Sequence, residues 1–305
     1  MPEATILIPT FRHAKLLPHA LASALDQTVT DLEVFVVGDG VEDSTRAVLE
    51  PFLADARVRF FDRPKGPRNG EVHRHAALQG ASGRIVCYLS DDDLLLRGHV
   101  AEMLRLLEGA DFAHPAPARL AALGVLDFFP WNYSRQEFVD IAHGRRGSIG
   151  LTGTAHTVDA YQRLPHGWRT TPSGMSTDHY MWLQFLDLPD LRCAMSDRLT
   201  YLSFPDPVWG QLGEDDRAAE LEKWLRRSRE DRFEEEIDGV LRDAIRRAAE
   251  DYHLWARREQ LAVAAIRATR TWRARELLLR VPPLRALTRR SPRLTHRMER
   301  GRWLR

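Results

Sequence analysis

The sequence predicts an α/β fold, a doubly wound and mostly parallel sheet followed by a C-terminal helical extension. Three observations carry that expectation. Short apolar runs alternate with helical spacing through residues 1–110, prolines and glycines then interrupt the pattern, and from Asp215 onward the chain is charged and helical in period. The predicted division is therefore 1–110, 111–212 and 213–305.

Residues 4–8 (ATILI), 32–37 (LEVFVV), 58–61 (VRFF) and 84–89 (RIVCYL) are rich in Val, Ile and Phe, and each runs into turn residues. They read as buried strands of one sheet. Between them, Leu16, Leu17, Ala20, Leu21, Ala24 and Leu25 recur at helical spacing, as do Val48, Leu49 and Leu53, and then Val72, His75, Ala76 and Gln79. Ligands of such sheets sit at the carboxyl ends of the strands. That places Thr10, Asp39 and the triplet Asp91, Asp92 and Asp93 along one rim.

The triplet follows the apolar run IVCYL directly. Three adjacent carboxylates repel one another unless a cation, hydrogen-bond donors or solvent offset the charge, and a hard divalent ion with phosphate oxygens is one natural partner. A solvated acidic turn capping the next helix, LLRGHVAEMLRLLE, is the other reading.

In the second segment, HPAPARLAALGVLDFFPWNY contains Pro115, Pro117 and Pro130 and reads as a traverse to a second, acceptor-facing half. Ser176 and Thr177 before Asp178 mark a helix start leading into HYMWLQFL. In the third, Leu221, Trp224 and Leu225 give an apolar face.

With 44% hydrophobic and 29% charged residues, the chain can bury a substantial core and is neither disordered nor fibrous. Two cysteines, Cys87 and Cys193, form neither a disulfide framework nor a metal-ligand spacing, which fits a reducing cytoplasm. No basic leader opens the chain, and no run approaches the roughly 18 apolar residues of a membrane span. The net charge of +1 conceals an asymmetry: residues 266–305 carry 13 arginines against Glu276 and Glu299, a tail of +11 on a remainder of −10. With Trp272, Trp303 and the leucines at 277–279, this tail suits peripheral contact with the anionic inner face of a membrane, or packing on its own acidic domain. Without a base-reading motif, nucleic acid is not an expected partner.

The stretches ILIPTFRHAKLLPHALASALDQT, VFVVGDGVEDST and RHAALQGASGRIVCYLSDDDLLL resemble, in order and spacing, the successive nucleotide-sugar-binding motifs of family 2 glycosyltransferases with the GT-A fold. The resemblance covers about the first third of the chain. It makes 1–110 the nucleotide-sugar-binding half and 111–212 the acceptor-binding half of one catalytic domain. It implies that Asp39 accepts a hydrogen bond from the donor's base, that Pro9, Thr10 and Phe11 flank that base, that Arg74 reaches the donor, that Asp91 touches the ribose and that Asp92 holds a metal, Mn²⁺ or Mg²⁺. The family's aspartate, any residue, aspartate, aspartate pattern begins here at Ser90, so the second metal carboxylate is Asp91 or Asp93. Asp178 matches the acidic residue that serves inverting members as general base. His179 is a second candidate base or a neighbour of the metal, His156 and Trp168 are acceptor-side candidates, and Trp182 reads as core.

The function implied is inverting transfer of a sugar from a nucleotide diphosphate, UDP-sugar foremost, to a hydroxyl of a glycan, glycolipid or small molecule. A non-catalytic nucleotide-sugar-binding scaffold is the alternative. A sugar-nucleotide pyrophosphorylase ranks lower, because PTFRHAK is not the glycine-rich loop that holds a triphosphate.

Overall fold

The computed structural model describes residues 1–120, 126–128, 131–144, 149–204 and 211–268. The arginine-rich tail beyond 268, with Trp272, Trp303 and 277–279, and Pro130 of the traverse lie outside the described residues.

The expected apolar runs are strands, the first three extending two residues toward the rim and the fourth shorter by a residue at each end. They are β1 (Ala4–Thr10), β2 (Leu32–Asp39), β3 (Val58–Arg63) and β4 (Ile85–Tyr88). β1 is central, parallel to β2 with Ala4 opposite Leu32 and Thr10 opposite Gly38, and parallel to β4 with Ala4 opposite Ile85. β3 continues the parallel order beyond β2. Strand alternation buries both faces: Ile6, Ile8, Val34 and Val36 face one core, while Leu7, Phe35, Val37 and Val86 face the other.

Helices α1 (Leu17–Leu25) and α3 (Glu71–Leu78) stand where the periodicity predicts them. The segment after β2 divides into α2 (Asp43–Leu49) and a 3₁₀ turn (Glu50–Ala54), since Pro51 lacks the N–H that continues the helix. One expectation is corrected. The residues after the aspartate triplet do not start a helix: Leu94 and Leu95 form β5 (Leu94–Leu95), and α4 (His99–Leu107) begins beyond Gly98. β5 pairs antiparallel with Tyr201 and Leu202, so the triplet lies between two strands and caps nothing.

The second segment supplies, in chain order, β6 (Phe112–His114), β7 (Ala118–Leu120), β8 (Leu126–Phe128), β9 (Ala155–Thr157), β10 (Cys193–Met195) and β11 (Tyr201–Leu202). Of these, β6, β9 and β10 join the main sheet, β7 and β8 pair with each other, and β11 pairs with β5. The seven-stranded sheet runs β10-β6-β9-β4-β1-β2-β3, with β9 antiparallel to both neighbours. Helices α5 (Gln136–His143), α6 (Val158–Gln162) and α7 (Thr177–Leu186) belong to the same segment. α7 starts at the predicted signal: Ser176 caps it by accepting from the His179 backbone N–H.

Two helices complete the described chain, α8 (Glu214–Arg227) and α9 (Phe233–Ala268). The predicted apolar face of α8, Leu221, Trp224 and Leu225, is buried with Leu16, Leu94 and Leu96, and the first turns of α9 add Phe233, Ile237 and Leu241. The chain forms two compact units, Met1–Ile245 and Arg246–Arg305; the described part of the second is helix through residue 268. Among the described residues no helix is long and apolar enough to cross a membrane. Cys87 and Cys193 are free thiols.

Three of the histidines buried inside this fold resist protonation. Burial pushes His99 down to about 3, and His114 and His156 down to about 4, from the ordinary 6.5. A folded-state value below the unfolded one means that the folded state resists the proton. The stability these groups contribute is complete above pH 6.5 and is lost as pH falls toward 4, at about 1.4 kcal/mol per pH unit for each. Buried Asp93, pushed up to about 8, acts in the opposite sense over the same interval. Urea unfolding between pH 7 and 5 should show a smaller loss of stability with acid in His99→Gln than in the wild type, because the unfolded variant no longer takes up that proton. An unchanged pH dependence in that variant would contradict the neutral burial of His99.

Candidate active site

The carboxyl ends of β1, β2 and β4 open into a cleft of about 490 Å³. Pro9, Thr10 and Phe11 line it, with Asp39, Arg74, Asp91, Asp92 and Asp178, so the structure brings together most of the residues singled out in the sequence.

Asp39 ends β2 and is 6% exposed. Its carboxylate accepts from Lys65 Nζ and from the Gly66 backbone N–H, each at 2.6 Å, and His73 Nε2 lies 3.6 Å away. Lys65 and Gly66 belong to the loop between β3 and α3, and His73 to α3 itself; the loop folds over Asp39 so closely that a Cβ on Gly70, at φ +65°, would stand 2.4 Å from the Asp39 Cγ. Only glycine fits there without strain. Phe11 faces two cations, with the Arg12 guanidinium 4.7 Å and Lys65 Nζ 5.1 Å from its ring centre.

The aspartate triplet divides by direction. Asp91 Oδ1 accepts from His13 Nδ1 at 2.8 Å, and Asp92 Oδ2 accepts from Arg217 of α8 at 2.9 Å. Ligand atoms of His13, Asp91 and Asp92 lie within 4.8 Å of one another. Two carboxylates suit a hard divalent ion such as Mn²⁺, which also accepts an imidazole, alongside phosphate and water oxygens. Asp93 turns inward instead. It accepts from Thr152 Oγ1 at 2.5 Å and from the Phe204 backbone N–H at 2.9 Å, and is 6% exposed, so it fastens the rim to the segment after β11. Burial first, and then the charge of Asp92, raise it to about 8.

Arg74 is the buried cation of the cleft. Its guanidinium stacks 4.7 Å over Trp168 and donates once, to the Asn69 carbonyl at 3.2 Å. Its Nε and Nη1 have no protein partner, nor does the buried Thr10 Oγ1. Burial lowers the pKa of this arginine, and the charges of Asp178 and Glu71 oppose that. Donors left unsatisfied where they line a cleft favour a ligand rich in acceptors.

Asp178 stands in the first turn of α7. Burial raises its pKa, against the pull of Arg74 and a hydrogen bond from the Leu151 backbone. A carboxylate raised in this way is a stronger base once ionised. The segment leading to it is tied to the loop that covers Asp39. Arg68 donates to the Met175 carbonyl at 3.1 Å, Asn69 Nδ2 to Thr177 Oγ1 at 2.7 Å, and Glu71 Oε1 accepts from the Thr171 N–H and Thr177 Oγ1, both at 3.3 Å.

The remaining candidates stand elsewhere. Trp168 Nε1 donates to Tyr88 Oη at 2.9 Å, Tyr88 donates to His156 Nε2 at 2.8 Å, and His156 Nδ1 donates to the Thr157 carbonyl at 3.0 Å. This closed relay is buried with Trp182 in the core, so His156 and Trp168 present no face to the cleft, and Trp182 is core as expected. His179 is buried in α7 behind Asp178 and does not line the cleft. Conversely, His13, Lys65, Arg68 and Glu71 were passed over in the sequence, although His13 lies in the quoted loop PTFRHAK.

Residues 5–163 match the family described as glycosyl transferase family 2. The chain belongs to that family. Over 106 residues, 34% of each chain, this family 2 protein is 31% identical to a Campylobacter jejuni GalNAc(5)-diNAcBac-PP-undecaprenol beta-1,3-glucosyltransferase. It spans about a third or less of the length of the curated relatives it matches. Among solved structures it is similar to S. aureus TarS 1-349 in complex with UDP-GlcNAc, with a TM-score of 0.53 and 15% identity over 80% of this chain and 72% of that one. It is also similar to the mannosyltransferase PcManGT from Pyrobaculum calidifontis in complex with GDP-Man and Mn2+, with a TM-score of 0.50 and 17% identity over 94% and 83%. These likenesses agree with the mostly parallel GT-A sheet of the family 2 chain.

Glu71, fully buried, compensates Arg74 and holds both segments. Glu71→Ala leaves a buried guanidinium short of counter-charge and three donors, the Asn69 and Thr171 N–H groups and the Thr177 hydroxyl, without their acceptor, and should cost about 3 kcal/mol in urea unfolding. Glu71→Gln keeps the acceptor oxygen and should cost about 1 kcal/mol.

Proposed function

We propose that this chain transfers a sugar from a nucleoside diphosphate sugar, UDP-sugar foremost, to an acceptor hydroxyl with inversion at the anomeric carbon. The observation that supports the reading is the meeting, in one cleft, of the Asp39 carboxylate, the cluster of His13, Asp91 and Asp92 that could hold a cation, a buried arginine with unsatisfied donors and a carboxylate of raised pKa.

In this reading the base packs beside Pro9 and Phe11 and donates an N–H to Asp39, whose carboxylate also accepts from Lys65 Nζ and the Gly66 backbone N–H. Asp91 and Asp92, with His13 as a third ligand, would hold a divalent ion. Once bound, that ion supplies Lewis-acid stabilisation of the charge that grows on the leaving β-phosphate oxygen. Arg74 offers its two free N–H groups to the same oxygens or to the sugar. The acceptor hydroxyl passes its proton to Asp178 as its oxygen attacks the anomeric carbon from the face opposite the diphosphate. One C–O bond forms, the bond to the β-phosphate oxygen breaks, and the nucleoside diphosphate carries away the electron pair. No covalent sugar–enzyme intermediate is needed.

The division into a donor half, 1–110, and an acceptor half, 111–212, follows the sources of these groups, Asp178 alone coming from the second. The Campylobacter relative, named for glucosyl transfer to an undecaprenol-diphosphate-linked glycan, supports a glycan or glycolipid acceptor, and a cytoplasmic place at the membrane's inner face suits such an acceptor.

Calorimetric titration of UDP, GDP, dTDP and CDP, each with Mn²⁺ and with EDTA, tests the donor side. Metal-dependent binding of one of them, lost in Asp92→Ala, is expected, and absence of binding by all four sinks the reading. Asp178→Asn should lower the transfer rate by about 10²–10⁴-fold while leaving the nucleotide Kd unchanged. Wild-type turnover by that variant would remove Asp178 from its role.

A further inference from the structure

Helix α8 opens with Glu214, Asp215 and Asp216, as the positive end of a helix dipole favours, and then places Arg217 in the same turn, where that dipole disfavours a cation. The partner of Arg217 accounts for its position. Its guanidinium donates to Asp92 Oδ2 at 2.9 Å, in a pair whose side chains are 14% and 23% exposed.

The helix that delivers this guanidinium is docked. The Lys15 backbone N–H donates to Glu214 at 3.1 Å, Lys15 Nζ pairs with Asp215 at 2.5 Å, and Leu221, Trp224 and Leu225 are buried against Leu16, Leu94 and Leu96. The contact therefore does not depend on a long side chain wandering over an open surface. Together with His13 on Asp91, it gives each of the two cleft-facing aspartates a hydrogen-bond donor supplied by the chain itself.

We propose that Arg217 is a displaceable counter-cation, holding Asp92 until a divalent ion takes its place, so that ion loading and the Arg217–Asp92 contact compete. The inference rests on the ion-site reading given under Proposed function. Two effects act in the same direction. The guanidinium occupies an oxygen that the ion needs, and its charge repels a dication at close range in a partly desolvated site. The competition also couples helix α8 to the donor site, because release of Asp92 removes one of the ties at the helix start.

The test is Mn²⁺ titration of the full chain without nucleotide, with free Mn²⁺ read by electron paramagnetic resonance, for the wild type, Arg217→Gln and Arg217→Lys, each with and without Asp92→Asn. Arg217→Gln should bind Mn²⁺ roughly tenfold more tightly than the wild type, the equivalent of one charge-assisted hydrogen bond. Arg217→Lys, which keeps the charge and loses the fork, should fall between them and serves as the readout if the glutamine variant does not fold. Equal or weaker binding by the Arg217 variants, with Asp92→Asn still abolishing binding, overturns the role of Arg217 and leaves the ion site standing. Binding indifferent to Asp92→Asn, or none in any protein, overturns the ion site and the inference with it.

Discussion

Parallel pairing of β1 with β2 on one side and β4 on the other makes three strands leave the sheet at one rim, and everything the cleft contains depends on that constraint. Thr10, Asp39 and the aspartate triplet are far apart in sequence, yet the shared register delivers them side by side without any tertiary search of their own. The register is held by alternation. A one-residue slip of β1 would exchange Ile6 and Ile8 with Leu7 between two differently shaped cores, and would turn Thr10 away from the cleft.

The cleft gathers charge at a cost in desolvation, and its architecture offsets that cost pair by pair. Asp39 has Lys65 and a backbone N–H, Asp91 has His13, Asp92 has Arg217, and Arg74 lies between Glu71 and Asp178. Asp93 is the exception. With Thr152 and the Phe204 backbone as neutral donors, burial drives it toward its protonated form, which removes one charge from the crowded triplet.

The first 110 residues were legible because strand periodicity, turn residues and motif order agree there. Other features escape local patterns for physical reasons. A helix cap is one of the two readings the aspartate triplet allows in the sequence, but the leucines after it pair with Tyr201 and Leu202, a contact across more than a hundred residues that no local pattern encodes. The inner face of α3 was read as Val72, His75, Ala76 and Gln79, whereas Glu71, Arg74, Ala77 and Leu78 are the buried set. A hydrophobicity rule cannot find a face whose burial is justified by ion pairing. His156 and Trp168 were chosen by residue type alone. Their closed hydrogen-bond relay depends on Tyr88 and on the antiparallel pairing of β9 with β4, neither of which spacing reveals. His13 and Glu71 carried no signal beyond their place beside recognised motifs.

The seam between the loop after β3 and the segment before α7 joins residues 68–71 to 171–177 by four hydrogen bonds. For protein engineering this makes the two halves of the cleft inseparable modules. A change within 171–177 also alters the loop that folds over Asp39, and a change at Asn69 is felt at the start of α7. Redesign of this cleft therefore calls for varying both segments together, with Glu71 left in place as their common anchor.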